Sequence, residues 1–167
     1  MFGLLILGII GNLNDIKIFK KELVLIIPIN NIFGDDKMGL DMYLYGVKSE
    51  FDQHNYNIGQ VMTATEIGYW RKANQIHKWF VDNVQDGKDE CKMHELGKEK
   101  LEELLSLCKE VKKNPEQASK LLPTQQGFFF GSYEYDEFYM MDIEETIVIC
   151  EWALEQDYEW FIYQSSW

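Results

Sequence analysis

Two stretches of alternating apolar and polar residues constrain the fold of this chain more than any other feature. In residues 39–46, leucine and methionine alternate with aspartate and tyrosine, and the tail over residues 158–166 alternates in the same way. A period of two residues is typical of a strand with one buried face. We therefore predict that the first and last strands pair within one small sheet.

Helical periodicity fills much of the sequence between these strands. Apolar residues recur at helical spacing from about Tyr69 to Val84, and KEKLEELLSLCKEVKKN from Lys98 is an amphipathic helix between Gly97 and Pro115. The fold class is predicted to be α+β, with about three main helices packed on a sheet of two to four strands.

Three shorter segments complete the predicted elements. Residues 60–69 are β-branched and form a second short strand or an extended lead into the first helix, and a short helix is expected over 115–121. The aromatic and acidic stretch 124–139 is a strand or a tight loop. Asp142 and Glu145 resemble a capping box that begins the last helix.

Charge and composition both change at Met38. Residues 1–37 hold four lysines and four acids, so the whole net charge of -12 resides in residues 38–167. The codons for Gly34-Asp35 can spell a purine-rich ribosome-binding site just before Met38. We interpret residues 1–37 as a non-native, weakly structured upstream extension and residues 38–167 as a single α+β domain.

The acidic composition narrows the possible partners. Phosphate backbones and anionic membranes are bound by clustered lysine and arginine, which this chain lacks. The apolar run at the start of the sequence is about half of the ~20 residues that span a bilayer. We expect a protein partner rather than nucleic acid or a membrane, in the cytoplasm of a bacterial host, and the oligomeric state stays open.

Cysteine and histidine offer little metal-binding potential. Cys91 and His94 form a lone C-x-x-H pair without a second ligand pair. Cys108 and Cys150 lie within apolar helical stripes, which favours reduced core thiols. The sequence predicts no metal and no cofactor.

GYWRKANQIHKWF, from Gly68, contains the single arginine of a chain with 16 basic residues. The planar guanidinium binds carboxylate or phosphate in a way that lysine cannot copy. Arg71, Asn74 and His77 therefore form one candidate pocket wall, although buried asparagine and histidine more often only anchor a helix. Trp79 falls on the polar side of the predicted helix, where it either covers a neighbouring element or anchors a partner.

A second polar group lies in the 124–139 stretch and is made of Gln125, Ser132, Asp136 and Glu137. Paired carboxylates can perform acid–base work, but they more often form a solvated turn or the start of a helix. We predict that Arg71 makes a charge-assisted contact with an acid of the 134–137 segment.

The chain resembles a family of small uncharacterised phage and prophage proteins. The resemblance rests on MGLDMYL at 38–44, EIGYWRKANQIHKWFV at 66–81, LLPTQQGFFFGSYEYDEFY at 121–139 and YQSSW at 163–167. It implies an intracellular, phage-derived setting and carries over no catalytic residue.

Two functional hypotheses follow. In the first, an acidic accessory protein binds a basic host protein that acts on nucleic acid or in defence. In the second, a small enzyme or ligand-binding protein has Arg71, Asn74 and His77 on one pocket wall. Convergence of the two polar groups on one pocket would favour the second hypothesis, and their dispersal or burial in mutual hydrogen bonds would favour the first.

Overall fold

The computed structural model describes residues 39–50 and 61–167, and its elements follow one another along the chain. These are strand β1 (Asp41–Glu50), β2 (Val61–Arg71), helix α1 (Asn74–Asn83), β3 (His94–Leu96), α2 (Lys98–Lys113), a 3-10 helix (Pro115–Gln117), α3 (Ala118–Leu121), α4 (Glu137–Glu155) and β4 (Trp160–Ser166). The predicted upstream extension, and most of the polar stretch before β2, lie outside the described residues.

The four strands form one antiparallel sheet in the order β2-β1-β4-β3. Asp41 pairs with Ser166 and Leu44 with Tyr163, so the first and last described strands are neighbours. The α+β class and the predicted pairing of these two strands are confirmed, and residues 60–69 supply most of a second strand.

One face of the sheet carries the core. Leu44, Phe161 and Tyr163 project from β1 and β4 into a single cluster of buried side chains that includes Leu104 of α2 and Ile143 of α4. Gly68 on β2 allows the close approach of α4, because a Cβ there would lie 2.7 Å from Cγ2 of Ile149. The helices therefore cover the face on which Leu44 and Tyr163 lie.

The middle helix is as predicted. Gly97 occupies the N-cap position of α2, and Pro115 begins the 3-10 helix after its end. Leu101, Leu104 and Cys108 form the buried stripe of α2, which packs against α4. The short helix expected over 115–121 is present as the 3-10 helix followed by α3.

The first helix begins later than predicted. Residues 69–71 belong to β2, and the chain turns at Lys72, whose φ of 62° lies in the left-handed region, before α1 starts at Asn74. Arg71 therefore lies on a strand, whereas Asn74 and His77 lie on α1. Trp79 is buried, because α1 is enclosed on its polar side as well as on its apolar side. Of its two expected roles, an exposed partner anchor is therefore wrong, and packing against neighbouring elements agrees with its burial.

The last helix also starts elsewhere. Residues 124–136 form a loop, and Asp136 is the N-cap of α4, where its Oδ1 accepts hydrogen bonds from the amides of Phe138 and Tyr139. The capping box predicted at Asp142 and Glu145 is wrong, because Asp142 lies within the helix. Asp136 is an equally good N-cap residue and begins α4 earlier.

Candidate functional site

Asn74, the first residue of α1, fastens the 124–136 loop to the body of the domain. Its side chain is 1% exposed and makes three hydrogen bonds to loop backbone. Nδ2 donates to the carbonyls of Phe130 (3.1 Å) and Ser132 (2.8 Å), and Oδ1 accepts from the amide of Gln125 (3.0 Å). Both N–H groups and one acceptor position of the amide are thus used within the protein, and Asn74 acts as a buried anchor.

His77, one turn further along α1, joins the same anchoring system. Its Nδ1 lies 2.7 Å from the hydroxyl of Tyr163, and its Nε2 lies 3.0 Å from Oδ1 of Asp89. Gln125 donates from Nε2 to the other oxygen of Asp89 at 2.8 Å. The buried imidazole thereby connects the sheet, the turn after α1 and the loop.

Burial controls the ionisation of this group. Desolvation lowers the pKa of His77, although the neighbouring Asp89 carboxylate opposes the shift. Desolvation also raises the pKa of the Tyr163 phenol well above its ordinary value, so Tyr163 keeps its proton. The consistent arrangement is a neutral His77 that donates from Nε2 to Asp89 and accepts from Tyr163 at Nδ1.

Arg71 lies at the end of β2 and binds Asp41 on the adjacent strand. Its guanidinium Nη1 is 2.9 Å and 3.2 Å from the two carboxylate oxygens, and the hydroxyl of Tyr69 donates to the same carboxylate at 2.5 Å. The ion pair described for Arg71 is with Asp41, not with an acid of 134–137. The predicted partner is therefore corrected, since the placement of Arg71 on a strand brings it beside its cross-strand neighbour instead.

A pocket of about 310 Å³ opens where the end of β2, the loop and the start of α4 meet. Its lining includes the two cations Arg71 and Lys72. It also includes four carboxylates, those of Glu134, Asp136, Asp142 and Glu145. Three of the six side chains predicted to line a site are here, namely Arg71, Ser132 and Asp136.

The other three predicted side chains, Asn74, His77 and Gln125, belong to the buried hydrogen-bond network. Of the remaining candidates, Glu137 is the exposed first residue of α4, and the hydroxyl of Ser132 accepts from the amide of Glu134 at 3.1 Å. Each of the two polar groups is therefore divided between the pocket and the buried network, and the six side chains do not all converge on one pocket.

Asp142 is the pocket residue that the sequence did not identify. Gln75 donates to its Oδ2 at 3.0 Å from Nε2. The pKa of Asp142 is raised to about 6, chiefly by burial and also by the carboxylates of Glu145 and Asp136, against the opposing hydrogen bond from Gln75. The sequence signal for this role was the position of the aspartate directly before Ile143, which is buried on the same helix.

Large apolar side chains are exposed along the loop and the first turns of α4. Phe128 is 79% exposed, Phe138 63% and Met141 62%, and the group also contains Phe129, Tyr133 and Tyr135. We call these six side chains the aromatic surface. Phe138 and Met141 also line the pocket, so the pocket opens within the aromatic surface.

The loop holds an unfavourable backbone conformation to present this surface. Phe129 has a φ of 61°, which costs a non-glycine residue about 1–2 kcal/mol. Its ring packs against that of Phe128 with a centroid distance of 4.1 Å, while Phe130 is buried against His77. The sequence FFF at 128–130 thus divides into two exposed rings and one that anchors the loop.

Comparison with protein-family models, with curated proteins and with solved structures finds no match for this chain. In the described part of the chain, no helix is both long enough and apolar enough to cross a bilayer. The same residues contain no group of three or more histidine, cysteine, aspartate or glutamate side chains placed to hold a metal ion.

Proposed function

We propose that this protein works by binding another protein, and that the aromatic surface is where the partner docks. The observation that carries the proposal is the concentration of six large exposed apolar side chains on one loop and the helix start that follows it. Contiguous exposed apolar surface on a small domain is characteristic of interaction sites, and aromatic residues dominate the binding energy of interfaces.

The anchoring of the loop supports the same proposal. A mobile loop would lose conformational entropy on binding, at a cost of about 0.5–1.5 kcal/mol for each side chain that becomes ordered. Asn74 of α1 holds the loop backbone through hydrogen bonds to two of its carbonyls, and the loop residue Gln125 donates to Asp89 after α1. Part of that entropic cost is therefore met when the protein folds, before the partner arrives.

The charge of the protein indicates the kind of partner. The chain carries a net charge of -12, and Glu134, Asp136 and Glu137 lie among the exposed aromatic residues. Such a surface attracts basic proteins and repels acidic ones. A basic host protein that acts on nucleic acid or in defence fits these electrostatics, and the resemblance to phage and prophage proteins would place the encounter in the bacterial cytoplasm.

Site-specific photo-cross-linking in cells of the host tests the proposal. p-Benzoylphenylalanine replaces Phe128 or Phe138, with Met93 as the control position, because Met93 is about as exposed as Phe138 and lies far along the chain from the loop. We expect a discrete protein adduct from positions 128 and 138 and none from position 93. Equal adducts from all three positions, or none from any, would contradict the proposal.

A second candidate function is the binding or turnover of a small molecule in the pocket beside Arg71. The observation in its favour is Asp142, a pocket carboxyl whose raised pKa of about 6 suits proton transfer near neutral pH. Asn74 and His77 are excluded from that pocket wall by their burial. Screening small amines and carboxylates by thermal shift, with Asp142→Asn as the comparison, separates this function from protein binding.

A further inference from the structure

We infer that two copies of this chain associate through the outer edge of β2, which pairs antiparallel with its own copy about a twofold axis at Ala64. The two sheets then join into one. The inference concerns a second copy of this chain and is independent of the proposed docking at the aromatic surface. It rests on the length, the sequence and the exposure of this strand.

β2 is a long strand at the edge of the sheet. It spans 11 residues, Val61–Arg71, whereas strands usually have about 3–10. Within the described part of the chain it pairs on one side only, with β1. The N–H and C=O groups on its outer side therefore face no other described strand, and such an edge is a template for pairing with another chain.

The first half of β2 lacks the features that protect natural edge strands. Charged side chains, proline and β-bulges keep such edges from pairing with other chains. In β2 the register with β1 skips Ile67, and the charged residues are Glu66 and Arg71. Residues 61–65 contain no charge and no proline, and their register with β1 is regular. The protective features thus begin only after this segment.

The same part of β2 is accessible from both faces of the sheet. Thr63, Ala64, Thr65 and Glu66 are all exposed, although consecutive strand residues point to opposite faces. Further along the strand, α4 lies so close to Gly68 that a Cβ there would be 2.7 Å from a side chain of that helix. The helices therefore cover the later part of β2 and leave the edge at residues 63–66 accessible to another strand.

The sequence of this edge is self-complementary in one antiparallel register. A twofold axis normal to the sheet passes where a residue faces its own copy, because facing side chains lie on the same side of the sheet. With Ala64 on the axis, Thr63 faces Thr65 of the second copy. Glu66 then faces Met62 instead of another carboxylate. Threonine pairs across strands stabilise a sheet, whereas facing like charges destabilise it.

Pairing at β2 gives a closed dimer rather than a fibre. The contact is the same patch on both copies, so symmetry closes it, and the joined sheet ends on each side at β3, which has only three residues. Thr63 precedes Arg71 by eight residues, or about 26 Å at ~3.3 Å per residue. The pocket beside Arg71 lies at the other end of the strand, so the dimer leaves the aromatic surface of each copy free.

Sedimentation velocity of the full chain over a range of concentrations tests the inference. We expect a reversible monomer–dimer equilibrium that tightens as salt is added, because each copy carries a net charge of -12 and salt screens their repulsion. In hydrogen exchange, at least one amide within residues 63–65 should exchange more slowly as the concentration rises. A chain that stays monomeric at every concentration and salt overturns the inference.

Two double variants at the same exposed positions locate the contact. Thr63→Lys/Thr65→Lys places like charges opposite each other in this register, although two added positive charges on an acidic chain would favour non-specific association. Thr63→Lys/Thr65→Glu places lysine opposite glutamate and leaves the net charge unchanged. We expect the first variant to raise the dissociation constant of the dimer at least tenfold, and the second to change it less than threefold. Both monomers should keep the thermal stability of the wild type.

The comparison of these variants also tests the axis. If both variants weaken the dimer equally, or neither does, the contact does not have Ala64 on its axis and the inference is overturned. Cross-links from positions 128 and 138 do not depend on the dimer. A failure here therefore leaves the proposed docking at the aromatic surface intact, and a failure of the cross-links leaves the dimer intact.

Discussion

Replacement of Asn74 by alanine should destabilise the protein by about 3 kcal/mol. The side chain makes three hydrogen bonds to loop backbone from a position that is 1% exposed, and each such bond contributes about 0.5–1.5 kcal/mol net. The variant also leaves the amide of Gln125 without its acceptor. For a domain with a free energy of unfolding of about 5–15 kcal/mol, this is a large share.

Urea unfolding and hydrogen exchange measure the effect. Asn74→Ala should lower the free energy of unfolding, and the amide of Gln125 should exchange faster because it loses the 3.0 Å bond to Oδ1. Asn83→Ala in the same helix is the matched control. Its Nδ2 donates only to the carbonyl of Trp79 one turn earlier, so its loss should cost no more than about 0.5 kcal/mol.

Asn74→Asp separates hydrogen bonding from packing. The aspartate has nearly the same shape and keeps the acceptor for the Gln125 amide. A carboxylate oxygen would, however, replace the side-chain NH2 group that donates to the carbonyls of Phe130 and Ser132. It should therefore be at least as destabilising as Asn74→Ala. A loss below about 1 kcal/mol in Asn74→Ala, or a fully stable Asn74→Asp, would refute the account of Asn74 as the loop anchor.

Two other predictions concern the pocket and its wall. Gly131→Ala should lower the free energy of unfolding, measured in urea, by about 2–4 kcal/mol, because φ is 99° and the new Cβ would lie 2.8 Å from the Lys72 carbonyl oxygen. The control Gly87→Ala has a φ of 73° but open space around the new Cβ, so it should lower that free energy by only about 1 kcal/mol. Equal losses in the two variants would contradict this. Asp142 has a folded-state pKa raised to about 6, so its ionisation destabilises the native state as pH rises from about 4 to above 6, and the penalty is absent at lower pH where both states are protonated. Asp142→Asn, which keeps an acceptor for Gln75, should therefore gain about 2 kcal/mol relative to wild type between pH 4 and pH 8, and a pH-independent difference in unfolding free energy would refute the shift.

The sheet could be predicted from the sequence because strand alternation is a local signal. Met42 and Leu44 alternate with polar residues on β1, and on β4 buried and less buried residues alternate with the same period, so each strand has one buried face. Because both strands bury one face in the same core, their pairing within one sheet is favoured. The buried stripe of α2 could be predicted for the same reason, because helical periodicity is also a local signal.

The start of α1 could not be predicted, since it depends on a contact between distant segments. Lys72 adopts a left-handed conformation and packs against Gly131, about 60 residues later in the chain. Nothing near Lys72 in the sequence marks such a conformation, and Trp70 and Arg71 suit a helix as well as a strand. The predicted helix therefore includes residues 69–71, which in the structure belong to β2 and pair with β1.

The site was predicted in part. Asn74 and His77 were recognised as polar residues that need partners, but the partners lie on the loop, on β4 and at Asp89, which no sequence pattern connects. Asp142 is predicted as a helix cap because Glu145 follows it at the spacing of a capping box. The choice between Asp136 and Asp142 depends on where the loop leaves the core, which is a tertiary property.

The position of β4 has a kinetic consequence. This strand lies between β1 and β3, and it pairs with β1 across about 120 residues of chain, so the sheet cannot close until nearly the whole described sequence is available. Helix α2 can form from local contacts well before that, whereas α4, which ends at Glu155, is complete only shortly before β4 begins at Trp160. During synthesis the apolar faces of the helices and of β1 therefore remain exposed until β4 has been made. In that interval they are accessible to chaperones and to other nascent chains.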